Sequence, residues 1–480
     1  MRNRRGQGDF RFRCFNPLTR KLRCRRSKVP SNGSRGSQVS YRVYVQTFGC
    51  QMNEYDTELV RSLLKDRGFA FTEHPEQADV VLMNTCAIRE NAHNRVYGHL
   101  AEWKAMKQSR QVVIGVLGCM AQNLKKELME SQPVIDVLAG PDSYRQLPDL
   151  LTKALELREP SMAVDLSEYE TYEAILPERK PGVNAWIAIM RGCDNFCSFC
   201  VVPYTRGRER SRPAQGILEE THVLAAQGYK QVTLLGQNVN SYQSDEVAFA
   251  RLLSDVADVP GIERVRFTSP HPKDFPPDLI EVVAHHPNVC RQIHLPLQAG
   301  SDRILDLMGR SYTRAKYRAL VAEIRRQGDM TLSTDIIAGF CTETHEEFLE
   351  TYELVREIEF QSAYIFKYSE RKNTIAYRKF PDDVPESVKS ERVTQLVELQ
   401  RTISSGKNRQ LIGTEVEVLV EGNARKSSRQ WMGHTESNVT VVWDKDALSL
   451  SLGDRITIRV EDASASTLFG TPVPSLASVG

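Results

Sequence analysis

Three cysteines share one short stretch, Cys193-Asp-Asn-Phe-Cys197-Ser-Phe-Cys200. Thiolates at this spacing can hold three corners of a cubane iron–sulfur cluster. A structural zinc site wants a fourth ligand nearby, and none follows. The missing ligand leaves one iron open to a substrate or cofactor. Gly192, Asp194, Asn195 and Ser198 are small or polar, which argues against three thiols buried in an apolar core.

Three further cysteines are scattered. Cys50 ends Thr47-Phe-Gly-Cys50, Cys86 ends Asn84-Thr-Cys86, and Cys119 ends Leu117-Gly-Cys119. Each lies just past a run that reads as a strand. If the strands are parallel, all three thiols converge on one sheet edge, where open α/β domains bind ligands. A second three-cysteine cluster is one reading, and inert core thiols are the other. Cys290 precedes a strand, away from the expected chemistry, and reads as structural. Cys341 follows a strand but has no partner motif.

Polar groups recur where later strands should end. Candidates to contact a cofactor are Gln237, Asn238, Ser269, His294, Gln298 and Asp335. A lone His294 or Asp335 within a strand reads equally well as a satisfied interior polar group. Directly after Cys200 come Tyr204, Arg206, Arg208 and Arg210, a set suited to phosphates, a carboxylate or a base. A solvated charged loop is the competing reading.

The elements that must position these residues follow from hydrophobic periodicity. Runs at 41–48, 78–84, 111–117 and 134–138 read as strands, with a helix at 53–67. Together they suggest an open α/β domain over residues 41–150. Residues 151–182 read as a linker. Six strand candidates then alternate with helices, at 185–190, 231–235, 264–268, 291–295, 331–338 and 363–368. That pattern argues for a partial (β/α)6 barrel over residues 183–410, with chemistry at its C-terminal strand ends. Short β-type runs at 415–421, 438–443 and 455–460 suggest a small β-barrel over residues 411–475. The fold class is α/β with that β-barrel appended.

The chain has 480 residues, 41% hydrophobic and 26% charged, the composition of a soluble protein. No apolar run is long enough to span a membrane, and no secretory signal opens the chain. A reducing compartment is expected, in which cysteines are ligands or core residues before they are disulfides. The net charge of +2 hides an asymmetry. Residues 1–40 carry twelve arginines and lysines against Asp9 alone, so the rest is acidic. This extension reads as disordered, with phosphate binding or organellar import as further readings of its charge. The cytoplasm is the expected location, and a monomer the expected state.

Several long motifs now resemble one family. The cysteine trio resembles the cluster motif of radical S-adenosylmethionine enzymes. Arg191-Gly-Cys-Asp-Asn-Phe-Cys-Ser-Phe-Cys-Val-Val-Pro-Tyr-Thr-Arg-Gly-Arg-Glu-Arg-Ser-Arg-Pro213 resembles the methylthiotransferases within that group. So do Thr47-Phe-Gly-Cys-Gln-Met-Asn-Glu-Tyr-Asp56, Leu234-Leu-Gly-Gln-Asn-Val-Asn-Ser-Tyr242 and His294-Leu-Pro-Leu-Gln-Ala-Gly-Ser-Asp302. The resemblance covers roughly residues 41–475. The turn Gly339-Phe-Cys-Thr-Glu-Thr344 departs from it, having Cys341 and Thr342 where many relatives have Pro and Gly.

The resemblance implies that Cys193, Cys197 and Cys200 hold a 4Fe–4S cluster whose open iron binds S-adenosylmethionine. It implies that Cys50, Cys86 and Cys119 hold a second 4Fe–4S cluster that carries the sulfur to be inserted. The implied reaction is methylthiolation at C2 of N6-isopentenyladenosine beside the tRNA anticodon. It uses two S-adenosylmethionine molecules, one as radical source and one as methyl donor. The C-terminal barrel is similar to the TRAM domain, a tRNA-binding module, in which Arg425, Lys426, Arg429 and Trp431 are candidates for RNA contact. Implied partners are the tRNA anticodon stem-loop, an electron donor, and cluster-assembly or sulfur-donor proteins. The alternatives are methylthiolation of a ribosomal-protein aspartate and a noncatalytic RNA-binding metalloprotein.

Overall fold

The strand Val80–Thr85 (Val-Val-Leu-Met-Asn-Thr) and the strand Val113–Gly118 are buried along their whole lengths. Such unbroken apolar runs belong to parallel strands covered on both faces. They are the centre of a six-stranded parallel sheet in the computed structural model, which describes residues 40–87, 90–447 and 449–473. The basic extension, with Cys14 and Cys24, lies outside the described residues. Across the sheet the strands are Ala70–Phe71, Arg42–Thr47, Val80–Thr85, Val113–Gly118, Val137–Ala139 and Ser161–Ala163, all parallel. Two apolar cores lie on its two sides, one built around Leu59, Leu82 and Leu117, the other around Val81, Ile114 and Trp103.

This sheet corrects the reading of residues 151–182 as a linker. The helix Leu147–Glu156 packs on the sheet, and Ser161–Ala163 pairs with Val137–Ala139 as its edge strand. Three residues are too few to give a periodic signal. Farther on, Tyr172 is fully buried against Tyr144, so this segment too is part of the packing.

The second region is framed by six parallel strands, Asn184–Ala188, Gln231–Leu235, Arg264–Phe267, Gln292–His294, Thr331–Ala338 and Ser362–Lys367, beside four two-residue strands in small antiparallel pairs. The six form two parallel three-stranded halves joined by a bridge between Val265 and Val289. Among the described residues no pairing joins the sixth strand to the first, so the barrel is partial. Helices cover its outside. Arg314–Arg326 starts at the N-cap Thr313, whose hydroxyl accepts from the Lys316 amide. The divergent turn ends in a capping box, Thr344 with Glu347, which starts the helix His345–Ile358. Inside that turn Thr342 holds φ +63°, a conformation that costs a β-branched residue on the order of 1–2 kcal/mol.

The helix Glu386–Gln410 crosses the last two barrel strands and leads into a closed five-stranded β-barrel. Its strands are Glu415–Ala424, Ser427–Thr435, Thr440–Asp444, Arg455–Ala463 and Thr467–Pro472. The second and fifth are not evident from the sequence pattern. Ser427–Thr435 lacks apolar alternation because most of its residues are half-buried or exposed. Among the described residues no helix is long and apolar enough to cross a membrane.

Candidate functional site

Cys50, Cys86 and Cys119 follow three adjacent strands of the N-terminal sheet at its C-terminal edge. Two glycines let these ends approach. A Cβ on Gly49 would stand 2.4 Å from Asn53 Oδ1 and 2.9 Å from Cys86 Cβ. One on Gly118, at φ +87°, would stand 2.5 Å from Asn84 Oδ1 and 2.6 Å from the Thr85 carbonyl. Buried amides lace the ends together. Asn53 Nδ2 donates to Asn84 Oδ1 at 3.1 Å and to the Thr85 carbonyl at 3.2 Å, and Asn84 Nδ2 returns a bond to the Asn53 carbonyl at 2.8 Å. The Thr85 hydroxyl donates to the Leu117 carbonyl at 2.6 Å. Burial pushes the Cys119 thiol up, and nearby Cys50 adds to that rise.

The contiguous trio is pinned by other barrel elements. The Ser198 amide donates to the Met308 carbonyl at 2.8 Å, and the Ala376 amide donates to the Ser198 carbonyl at 2.7 Å. Burial pushes the Cys193 thiol up to about 11 and the Cys200 thiol up to about 12. Binding a metal would displace these protons, since the thiolate is the ligand form. Arg310, half-buried, donates through Nη1 to Cys197 Sγ at 3.3 Å, and Asn195 Nδ2 stands 3.5 Å from Cys193 Sγ. Donors aimed at sulfur in a water-poor loop fit a thiolate-held cluster. Among the described residues no three His, Cys, Asp or Glu side chains close on a single ion. A cubane is held one thiolate per iron corner, so its ligands need not meet at one point. Arg310 had no sequence signal, lying 113 residues from its sulfur partner.

The two trios adjoin. Val201, next to Cys200, packs with Ala87 and Cys119 in one small apolar cluster. Beside it lies a buried carboxylate, Asp56, six residues after Cys50. Arg191 Nη2 reaches Asp56 Oδ1 at 2.6 Å and Arg206 Nη2 reaches Asp56 Oδ2 at 2.7 Å. These two arginines flank the Cys193–Cys200 loop, and Arg206 also contacts Cys119. Arg210 pairs with Asp142 at 2.9 Å, and Arg212 with Glu220 at 2.8 Å.

This geometry corrects part of the arginine reading. Arg206 and Arg210 are buried structural ion pairs that face the N-terminal domain, so they are not displayed to a substrate. A guanidinium with carboxylate partners can be buried, and sequence cannot show a partner 150 residues away. Arg208 is exposed and pairs with Asp194 at 2.9 Å, while the Tyr204 hydroxyl accepts from Arg378 at 3.1 Å. Arg425 and Arg429 are exposed on the C-terminal barrel. Trp431 is half-buried against that barrel's core, with Lys445 Nζ 4.5 Å from its ring centre.

Five of the six cofactor candidates lie at the C-terminal ends of barrel strands or just beyond, and Asp335 lies within the fifth strand. His294 bonds through Nδ1 to the Ser333 hydroxyl at 3.1 Å and through Nε2 to Asp335 Oδ2 at 3.2 Å. Gln298, at φ +69°, donates its amide to the Asp335 carbonyl at 2.8 Å. Ser269 is also left-handed, at φ +59°. Asn238 is buried, and its Nδ2 stands 3.3 Å from Glu209 and 3.2 Å from Asp274. Its Oδ1 and Gln237 Oε1 are buried with no hydrogen-bond partner among the described residues. Two orphaned acceptors side by side mark a place built for a donor from outside the chain.

Comparisons with known proteins agree with this geometry. Residues 187–355 match the model of the radical SAM superfamily, residues 409–473 the TRAM domain, and residues 42–140 an uncharacterized protein family designated UPF0004. The tRNA-2-methylthio-N(6)-dimethylallyladenosine synthase of Chloroherpeton thalassium is 44% identical over 450 residues, spanning 93% of this chain and 99% of that one. Its counterpart in Porphyromonas gingivalis is 45% identical over 443 residues, spanning 90% and 95%. A solved radical S-adenosylmethionine methyltransferase from Kitasatospora setae, with cobalamin and a [4Fe-4S] cluster bound, shares the fold. Its TM-score is 0.55 at 15% identity, over 71% of this chain and 77% of that one.

Fold and site thus define a radical S-adenosylmethionine enzyme with a second cysteine trio and an appended TRAM barrel. Its cofactors are S-adenosylmethionine and two 4Fe–4S clusters. The chain belongs to the tRNA-2-methylthio-N(6)-dimethylallyladenosine synthase family, and its reaction is the methylthiolation of tRNA.

Proposed function

We propose that Cys193, Cys197 and Cys200 hold the cluster that engages S-adenosylmethionine, and that Cys50, Cys86 and Cys119 hold the sulfur-carrying one. The observation that carries this reading is the packing of Val201, the neighbour of Cys200, directly on Cys119. When bound, the clusters and S-adenosylmethionine supply one-electron chemistry able to functionalise an unactivated adenine carbon. The chain's own residues do the rest. Arg310 steadies the Cys197 sulfur, and Asp56 with Arg191 and Arg206 fixes one cysteine loop against the other. Gln237, Asn238, Ser269, His294, Gln298 and Asp335 contact S-adenosylmethionine at the barrel mouth. Tyr204 and Arg208 at the rim, with Arg425 and Arg429 on the TRAM barrel, contact the anticodon stem-loop.

The work divides as residues 41–163 for the second cluster, 183–410 for radical generation and 411–473 for RNA capture. An electron donor and a sulfur or cluster donor complete the system, which operates in the cytoplasm. Anaerobic reconstitution tests the assignment. Wild-type protein should hold about eight irons, and the triple variant Cys50→Ala, Cys86→Ala, Cys119→Ala about four. That variant should still cleave S-adenosylmethionine but form no methylthioadenosine. Full iron content in the variant, or retained sulfur insertion, overturns it.

A further inference from the structure

The last barrel strand, Ser362–Lys367, carries two aromatics that take no part in either cysteine site. Tyr364 pairs in register with Asp335, and Phe366 with Ile337. Register partners in a sheet share a face, so both rings lie on the inner face with Ser333 and Asp335. The Tyr364 ring meets His294 edge-on at 6.0 Å between centres. Residues of the opposite face, among them Leu332, Ile336 and Ile365, pack into the helix-covered core. On the inner face the aromatics are open, Tyr364 55% exposed and Phe366 44%. Two neighbouring aromatics left in water are unfavourable and mark a surface built to be covered.

Their surroundings indicate the kind of occupant. The strand borders the barrel's unpaired side, so this face is reached laterally. The chain leaving it carries Arg371, Arg378 and Lys379 against Glu370, while its Lys367 and Lys372 pair with Glu386 and Glu127. That segment is tied to the thiol loop by the Ala376–Ser198 backbone bond of 2.7 Å and by Arg378 on Tyr204. Open aromatic faces, with cations in the adjoining chain for the phosphates, are how proteins receive an unstacked base of an RNA strand.

We propose that Tyr364 and Phe366 form the wall that receives the prenylated adenine. The base stacks on one ring and the dimethylallyl group covers the other. This rests on prenylated tRNA adenine being the substrate. A five-carbon apolar substituent gains from an apolar wall and nothing from the polar His294–Asp335 pair beside it. The wall therefore sets the preference for prenylated over plain adenosine.

The test uses reconstituted full-length enzyme and two anticodon stem-loop RNAs, one with dimethylallyladenosine and one with plain adenosine. Tyr364→Ala and Phe366→Ala should each weaken binding of the prenylated RNA about tenfold, the size of a missing base–aromatic stack. Loss of the ring under the base should weaken plain RNA equally. Loss of the ring under the dimethylallyl group should weaken plain RNA less, so in that one variant the preference shrinks. Tyr364→Phe and Phe366→Tyr should restore it, with iron content and S-adenosylmethionine affinity at wild-type values throughout. Undiminished preference in both alanine variants overturns the proposal, as does a parallel loss of S-adenosylmethionine affinity. A wild-type enzyme indifferent to the prenyl group would overturn the substrate assignment itself, and the wall with it.

Discussion

The barrel is gripped on two sides in different ways. Against the N-terminal domain the seam is made of whole charges taken out of water: Asp56 between Arg191 and Arg206, Asp142 with Arg210, and Glu220 with Arg179. Against the TRAM barrel the arginines turn to neutral acceptors. Arg266 donates to the Thr435 and Glu436 carbonyls at 2.8 and 2.9 Å, and Arg264 to the His434 carbonyl at 2.7 Å. The carboxylate that Arg264 also meets there, Glu417, is half exposed. Buried ion pairs add little net stability over an apolar contact but punish misplacement severely. The first seam therefore fixes one geometry, as two facing cysteine loops require. The second docks an RNA-binding module whose placement tolerates more.

The difference can be broken from either side. Asp56→Ala leaves two buried guanidiniums without a carboxylate and should cost about 3–5 kcal/mol in chemical denaturation. Methylthio product should fall further than S-adenosylmethionine cleavage, since the radical-generating loop keeps its own thiols. Equal losses would mean that Asp56 only stabilises the fold. Arg266→Ala at the other seam should cost about 1–3 kcal/mol, the loss of buried hydrogen bonds, with both activities reduced together. Glu417→Gln should change stability by less than about 1 kcal/mol, because Glu417 itself is half exposed to water.

Acidity sharpens the same contrast. Glu58, which faces Arg179 in the first seam, is held by burial with its carboxyl up at about 7, although Arg179 opposes the rise. An ordinary carboxyl titrates near 4.3, so the fold favours the protonated form. That stabilisation is whole below about pH 4 and disappears as pH rises through 7. Glu58→Gln should therefore flatten the fall in stability between about pH 5 and 8, and an unchanged slope would remove Glu58 as its source. Smallest in effect on the fold, Arg425→Ala and Arg429→Ala should leave stability untouched. Each variant neutralises one phosphate fewer, so the slope of log affinity for tRNA against log salt should drop by about one.

Much of the site was legible in the chain. Cys193, Cys197 and Cys200 stand out as proposed cluster ligands because a trio within eight residues needs only local spacing. Cys50, Cys86 and Cys119 were readable one step less directly, since parallel strands send their ends to one edge. The barrel strands 231–235 and 331–338 appear where periodicity put them. The edge strand Ser161–Ala163 did not, because three residues borrow their conformation from a neighbour. The two arginines Arg206 and Arg208 look alike in sequence and have opposite fates, one buried on Asp56 and one in solvent.

The order of residues alone thus determined most of the elements and marked the two thiol trios whose chemistry is proposed above. Each depends on neighbours along the chain or on the fixed geometry of a strand. Tertiary structure alone decided which charges are buried, that Arg310 meets Cys197, and that Tyr364 and Phe366 stand open on the inner face. Burial and pairing are properties of contacts between distant segments, and no local pattern encodes a partner 113 residues away.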